Sequence, residues 1–143
     1  MANAIKWATP ASASVATTEL NALANAAYAI GAEFDNGTSK SEYGQILVYL
    51  GSLTPGAGGY LSLYMVSAMD GTNYDRLVSN NPGVHKLLCT ITLDTGASAK
   101  YLTTPVFALA PFKTKFVLQN VSGVALASTT NTLTLYHWND EVQ

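Results

Sequence analysis

The sequence is poor in charge. Lysine, arginine, aspartate and glutamate make up 11% of its 143 residues, against roughly 25% in a typical soluble domain. The polar surface must therefore come from serine, threonine and asparagine. The net charge of −2 arises without any basic block, which argues against DNA or RNA as a partner. So few charges leave little repulsion between copies, which suits a protein that works packed against other chains.

The sequence also lacks paired cysteines and long apolar runs. Its one cysteine, Cys89, excludes an intrachain disulfide framework, and a β domain of this size without disulfides is typical of a protein made in the cytoplasm. The N-terminus lacks the apolar core of a signal peptide, and no stretch approaches the roughly 18 apolar residues of a membrane span. We expect no contact with a membrane, and the length fits one domain.

From Tyr28 onward, apolar residues recur with a period of two, which is typical of strands. Turn-forming clusters separate these segments, and the cluster at 54–59 lies between two of them as a hairpin candidate. With almost no helix after residue 30, the pattern predicts an all-β fold, an antiparallel β-sandwich or a jelly-roll-like barrel. Strands are predicted over residues 42–50, 60–68, 86–93, 99–104, 112–120 and 133–138.

The alternation also predicts which side chains face the core. The expected inward residues are Leu87, Cys89, Ile91, Leu93, Phe112, Phe116, Leu118, Leu133 and Leu135.

The first 17 residues differ in composition from the rest of the sequence. They are rich in alanine, serine and threonine and carry few large apolar side chains. We predict an extended N-terminal arm over 1–17 and a single sandwich domain over 18–143. At the start of the domain, Thr17 or Thr18 could cap one or two helical turns, and a turn-rich segment is the alternative.

Trp7 lies in the predicted arm with no core beside it. Such a tryptophan can anchor in a pocket of a neighbouring chain, or the arm can fold back so that Trp7 covers its own sandwich. We predict that the arm docks onto a neighbour, and loops 54–59, 70–83 and 121–131 are further contact candidates. The candidate protein-interface residues are Ile5, Lys6, Trp7, Tyr74 and Arg76.

No group of residues predicts catalysis. His85 and His137 have no nucleophile elbow, zinc-ligand pair or phosphate loop beside them, so we interpret them as surface or strand-end histidines. The segment 70–75 offers several oxygen ligands but lacks EF-hand spacing, which favours a polar loop with local hydrogen bonds over a calcium site. Cys89 is predicted to be a buried, inert thiol. We therefore expect no catalytic residue, no cofactor and no metal, and not an enzyme.

Eight of the aromatic residues are tyrosines. Tyrosine and tryptophan rings gathered on one sheet face would suit sugar binding or a protein interface, and ordinary packing within the sandwich is the alternative.

Several segments together resemble small structural proteins of tailed bacteriophage particles. The resemblance covers residues 18 to about 136 and is carried by the runs 19–26, 31–38, 58–64, 70–74, 111–120 and 131–133. It implies a β-sandwich virion component, a head decoration or cement protein that binds the outer head surface and stabilises the capsid.

The same resemblance implies the partners and the location. They are the major capsid protein and further copies of this chain, with a trimer favoured, on the capsid exterior of the virion after synthesis in the host cytoplasm. Two alternatives remain: a tail, collar or fibre-base component, and a carbohydrate-binding module that uses a platform of tyrosine and tryptophan.

Overall fold

The computed structural model describes residues 5–75, 81–83 and 86–142. These residues form eleven strands and one short helix, α1 (Asn36–Ser39), between β3 and β4. The strands are β1 (Ile5–Trp7), β2 (Ala11–Ala16), β3 (Tyr28–Asp35), β4 (Tyr43–Leu53), β5 (Tyr60–Ala68), β6 (Leu87–Thr92), β7 (Ser98–Thr103), β8 (Phe107–Ala108), β9 (Lys113–Val121), β10 (Thr132–Trp138) and β11 (Asp140–Val142).

Two antiparallel sheets pack face to face. The first sheet has the strand order β2-β10-β4-β7, with β8 also paired to β4, and the second has the order β3-β9-β5-β6. Strands β1 and β11 form a separate two-stranded ribbon. The predicted all-β class and antiparallel sandwich are confirmed, whereas a jelly-roll-like strand order stays a prediction.

The core lies between the two sheets and is built by alternate residues of their central strands. Each large aliphatic side chain buried there contributes about 1.5–3 kcal/mol to folding. Four of the predicted inward residues are at most 1% exposed, namely Phe116, Leu118, Leu133 and Leu135. Phe112 precedes β9 and is only half-buried.

Leu87 does not face the core as predicted, because the pairing of β5 with β6 shifts register between Leu63 and Tyr64. This irregularity pairs Leu87 with Tyr64 on the outer side of the sheet, where Leu87 is 44% exposed. Its neighbour Leu88 packs against the core instead.

The predicted hairpin around residues 54–59 is wrong. Both edges of β4 are already occupied, by β10 on one side and by β7 and β8 on the other. Strand β5 therefore pairs with β9 and β6 in the opposite sheet. The segment 54–59 crosses between the sheets, and the Gly56 N–H donates to the Ser122 carbonyl at 2.8 Å.

The segment after Thr17 forms turns, as the alternative prediction had it, and no helix. Its backbone groups bond to the end of β9 and to the loop after it: Ala22 N–H donates to the Ala127 carbonyl, and Ala26 N–H to the Asn120 carbonyl. Both alanines also have positive φ, 55° and 65°, which no helix tolerates. The one short helix of the described residues, α1, lies instead at 36–39.

The second half of the predicted arm is part of the sandwich. Strand β2 forms the edge of the first sheet by pairing with β10, and Val15 and Ala16 belong to the core. Strand β1 folds back onto β11. Among the described residues, no helix has the length and apolar composition needed to cross a membrane.

Candidate functional site

The outer face of the first sheet is aromatic and carries no charged side chain on its strands. Register and alternation place on it the residues Ser12, Ser14, Tyr43, Gln45, Leu47, Tyr49, Tyr101, Thr103, Thr132, Thr134, Tyr136 and Trp138. We call this surface the neutral face. Tyr101 is 72% exposed and Tyr136 40% exposed, so aromatic rings on this face are open to solvent.

Three rings form a corner at one end of the neutral face. The rings of Tyr43 and Trp138 are stacked, with centroids 6.1 Å apart and an interplanar angle of 27°. The Trp7 ring meets both of them edge-on, at 72° and 73°. Because β1 pairs with β11, Trp7 is held over its own sandwich, which is one of the two arrangements expected from the sequence. It nevertheless stays 69% exposed.

A pocket of about 410 Å³ opens beside this corner, lined by Trp7, Pro10, Gln45, Val106, Tyr136 and Trp138. None of the six side chains is charged. The Gln45 side-chain amide donates to the Thr104 carbonyl at 2.8 Å, which fixes its orientation.

A second pair of rings, Tyr49 and Tyr101, lies at the other end of the neutral face with centroids 4.6 Å apart. The nearby Tyr101 is the main reason that the pKa of Tyr49 is raised. At the corner end, Asp140 raises the pKa of Tyr43 in the same way. Both phenols are therefore neutral hydrogen-bonding groups at physiological pH.

The outer face of the second sheet has a different chemistry. Tyr74, from the loop after β5, packs on a small apolar cluster that contains Val66 and Val117. Its hydroxyl donates to the Glu33 carboxylate, and the Lys115 ammonium lies 4.6 Å from the centre of its ring. Burial and the contact with Glu33 raise the pKa of Tyr74, whereas that hydrogen bond lowers the pKa of Glu33.

Charged pairs surround Tyr74. The Lys113 ammonium lies 3.0 Å from the Glu33 carboxylate, and the Lys86 ammonium lies 2.5 Å from the Asp75 carboxylate. We call this surface the charged face; it consists of the outer side of the second sheet and the loop 69–75. A pocket of about 500 Å³ opens on it, lined by Ser67, Met69, Asp70, Asn73, Tyr74, Asp75 and Lys86.

Met69 and Asp70, two side chains of the loop 69–75, differ in polarity and in their hydrogen bonds. Met69 is 75% exposed at the rim of the pocket. Asp70 accepts hydrogen bonds from the Thr72 and Asn73 N–H groups at 2.9 and 2.7 Å, and these bonds lower its pKa to about 2. The segment is a polar loop held by local hydrogen bonds, as predicted, with Asp70 as the acceptor.

The structure does not bring the predicted interface residues together. Trp7 lies on the neutral face and Tyr74 on the charged face, on opposite sides of the sandwich. Ile5 and Lys6 lie in β1, opposite Val142 and Glu141. Arg76 lies outside the described residues, as does His85.

His137 lies in β10 near its end, as predicted, but it is buried. Its Nδ1 atom is 2.7 Å from the Ser41 hydroxyl, and the Phe34 ring packs against the imidazole at 4.9 Å. Burial lowers the pKa of His137. Cys89 is half-buried rather than fully buried, and burial raises the pKa of its thiol. In the described part of the chain, no three His, Cys, Asp or Glu side chains form a group that could hold a metal ion.

The sequence indicates that tyrosines contribute to a binding surface, but it does not indicate which other residues lie beside them. Gln45 and Val106 could not be predicted because nothing in their local sequence indicates that rings from distant segments line the same pocket. Nothing local indicates that Met69 is exposed. Alternation alone does place Tyr43 and Tyr49 on one face of β4.

Comparison with known proteins found no matching family model and no significant match to a curated protein sequence.

Proposed function

We propose that this chain is a non-enzymatic structural protein of a virion, a decoration protein that binds the outer surface of the head through its charged face. The supporting observation is the make-up of that face, where exposed Met69 and the anchored Tyr74 are surrounded by charged pairs. A protein–protein interface usually has an apolar centre and a polar rim, and on this face the charged pairs form the rim.

Tyr74 is suited to be the central contact of this interface. Tyrosine is enriched among the residues that dominate binding energy. Its hydroxyl and ring are already held by Glu33 and Lys115, so little side-chain entropy is lost on docking.

The surrounding charges favour correct docking more than they favour stability. The pair between Lys113 and Glu33 is more than a third exposed on both sides, and such surface pairs contribute little to folding. Charged groups at an interface rim instead speed encounter and fix register. Many modest contacts repeated over a symmetric head then add up to tight attachment. The proposal includes the major capsid protein as partner and a trimer as the attached form.

The first experiment is immunogold labelling of purified virions with an antibody against this chain. Regular label over the heads is the expected result. Label confined to tails would replace the proposal with a tail, collar or fibre-base role, and particles without label would overturn a virion role altogether.

The second experiment locates the docking face by cosedimentation with heads that lack the protein. Met69→Asp and Tyr74→Ala are expected to weaken binding at least about tenfold. The control is Val106→Asp, which puts the same charge at the pocket beside the neutral face, where Val106 is 53% exposed. Loss of binding through Val106→Asp alone would show that the neutral face is the docking face.

A further inference from the structure

We propose that the neutral face is a binding site for an uncharged oligosaccharide, with the pocket beside Trp7, Tyr136 and Trp138 as its main subsite. This site goes beyond the proposed function, since a copy attached through its charged face would turn the neutral face outward. It is also independent of attachment, because an isolated copy carries the whole pocket.

The ring geometry of the corner fits a sugar ring. The rings of Tyr43 and Trp138 are stacked, and the Trp7 ring stands at 72° and 73° to them. Trp7 and Trp138 of this corner line the pocket. The negative face of an aromatic ring attracts weakly positive C–H groups, and the faces of a pyranose ring present such groups. The volume of about 410 Å³ is within the usual range for small-molecule sites.

The polar groups of the pocket are uncharged hydrogen-bonding groups, which suit sugar hydroxyls. Gln45 is held in place by its bond to Thr104. The other polar groups of the lining side chains are the hydroxyl of Tyr136 and the indole N–H groups of Trp7 and Trp138. Threonine and serine hydroxyls continue along the face from Thr134 and Ser12. A surface that combines aromatic rings with hydroxyl groups matches a ligand that has apolar ring faces and hydroxyl edges.

The same composition argues against a protein as the occupant of this pocket. Protein interfaces are enriched in methionine and arginine as well as in aromatic residues, and the strands of the neutral face present neither. On the other side of the sandwich, Met69 is 75% exposed and lines a pocket together with Tyr74. The two faces therefore favour two different kinds of partner.

The neutral face is long enough for a chain of sugars. From Tyr43 to Tyr49 the strand β4 advances about 20 Å at roughly 3.3 Å per residue, and Tyr49 with Tyr101 supplies a second ring platform at its far end. We therefore expect an oligosaccharide to bind more tightly than its monosaccharide.

Intrinsic tryptophan fluorescence measures this binding directly, because both tryptophans of the chain line the pocket. The probes are maltohexaose, cellohexaose and chitohexaose, with hexagalacturonate as a charged oligosaccharide and a proline-rich peptide as an alternative occupant. A saturable change in emission with at least one neutral hexasaccharide is expected. No change with any of the three at millimolar concentration overturns the proposal.

Matched tyrosine variants test the location of the site. Tyr136→Ala is expected to weaken binding at least about tenfold, while Tyr136→Phe, which keeps the ring, retains most of the affinity. Tyr60→Ala is the control, because Tyr60 is a strand tyrosine of similar exposure, 36% against 40%, in the opposite sheet. Equal losses in both alanine variants, equally tight binding of hexagalacturonate, or tighter binding of the peptide would each overturn the proposal.

Discussion

Replacing Asn120 by alanine tests how the long connections of this sandwich are held. Asn120 is fully buried at the end of β9. Its side-chain NH₂ donates to the Leu23 and Val124 carbonyls at 2.9 and 2.8 Å, and its Oδ1 accepts from the Ser122 N–H at 3.0 Å. One side chain thus joins the turn-rich segment after residue 17 to the loop after β9.

The size of the expected loss in stability follows from the hydrogen bonds that each partner of Asn120 keeps. The Leu23 carbonyl keeps a bond from the Leu126 N–H, and the Val124 carbonyl keeps one from the Ser122 hydroxyl. The Ser122 N–H loses the partner that Asn120 supplied. Three lost hydrogen bonds at about 1 kcal/mol each, one of them leaving a buried donor, give a loss of about 3 kcal/mol. For 143 residues this corresponds to a fall in Tm of about 10 °C.

Urea unfolding and calorimetry of Asn120→Ala measure that loss. The matched control is Asn25→Ala, because Asn25 is exposed and makes a single bond, from the Gly123 N–H. Its expected loss is below about 1 kcal/mol. Asn120→Asp should cost at least as much as Asn120→Ala, since it turns a second oxygen toward two carbonyls. If Asn120→Ala and Asn25→Ala were equally mild, the clamp would have no energetic role.

Two further predictions concern pH and backbone conformation. Burial lowers the pKa of His137 in the folded state. As pH falls below about 6.5, the unfolded state therefore binds more protons than the folded state does. The free energy of unfolding should be highest above that pH and should decrease toward about pH 5.5. The difference in Tm between about pH 7.5 and about pH 5.5 should shrink in His137→Gln and persist in His85→Gln, and an unchanged difference in His137→Gln would contradict the assignment. Lys40 ends α1 in the left-handed region at φ 53°, so Lys40→Gly should raise the free energy of unfolding by up to about 1 kcal/mol. Lys40→Ala should bring no such gain in the same urea titration, and an equal gain there would trace the effect to the lost charge.

Strand positions could be predicted because the signal is local. Alternation over Tyr60–Ala68 is visible within nine residues, and the structure places β5 over that range. The pairing of strands could not be predicted in this way. Nothing local indicates that β4 is flanked on both sides by later strands, so a hairpin between β4 and β5 was the natural but incorrect expectation.

The segment after Thr17 shows a local preference overridden by distant contacts. The spacing of Leu20 and Leu23 is compatible with helical turns, yet Leu20 is buried in the sandwich core by a chain that turns three times. The bonds that fix these turns come from residues about 100 positions away, such as Asn120 and Ala127. These bonds form only in the tertiary fold, so a short stretch of sequence cannot predict them.

The arrangement of the two surfaces could not be predicted from the sequence. Trp7 and Tyr74 are both candidate interface residues, and each lies on one of the two surfaces. Their location on opposite faces depends on which sheet each segment packs against. That choice is made by non-local pairing, which is also why Gln45 and Tyr136 could not be placed beside Trp7.

The first three strands pair with the last three in reverse order, β1 with β11, β2 with β10 and β3 with β9. During synthesis, β3 must wait for about 80 further residues before its partner leaves the ribosome, or about 4 to 16 s at usual elongation rates. Closing such long loops makes folding slow and postpones it until β9, β10 and β11 have been synthesised. Truncation before β9 should therefore leave no smaller sandwich, only a chain without a fold.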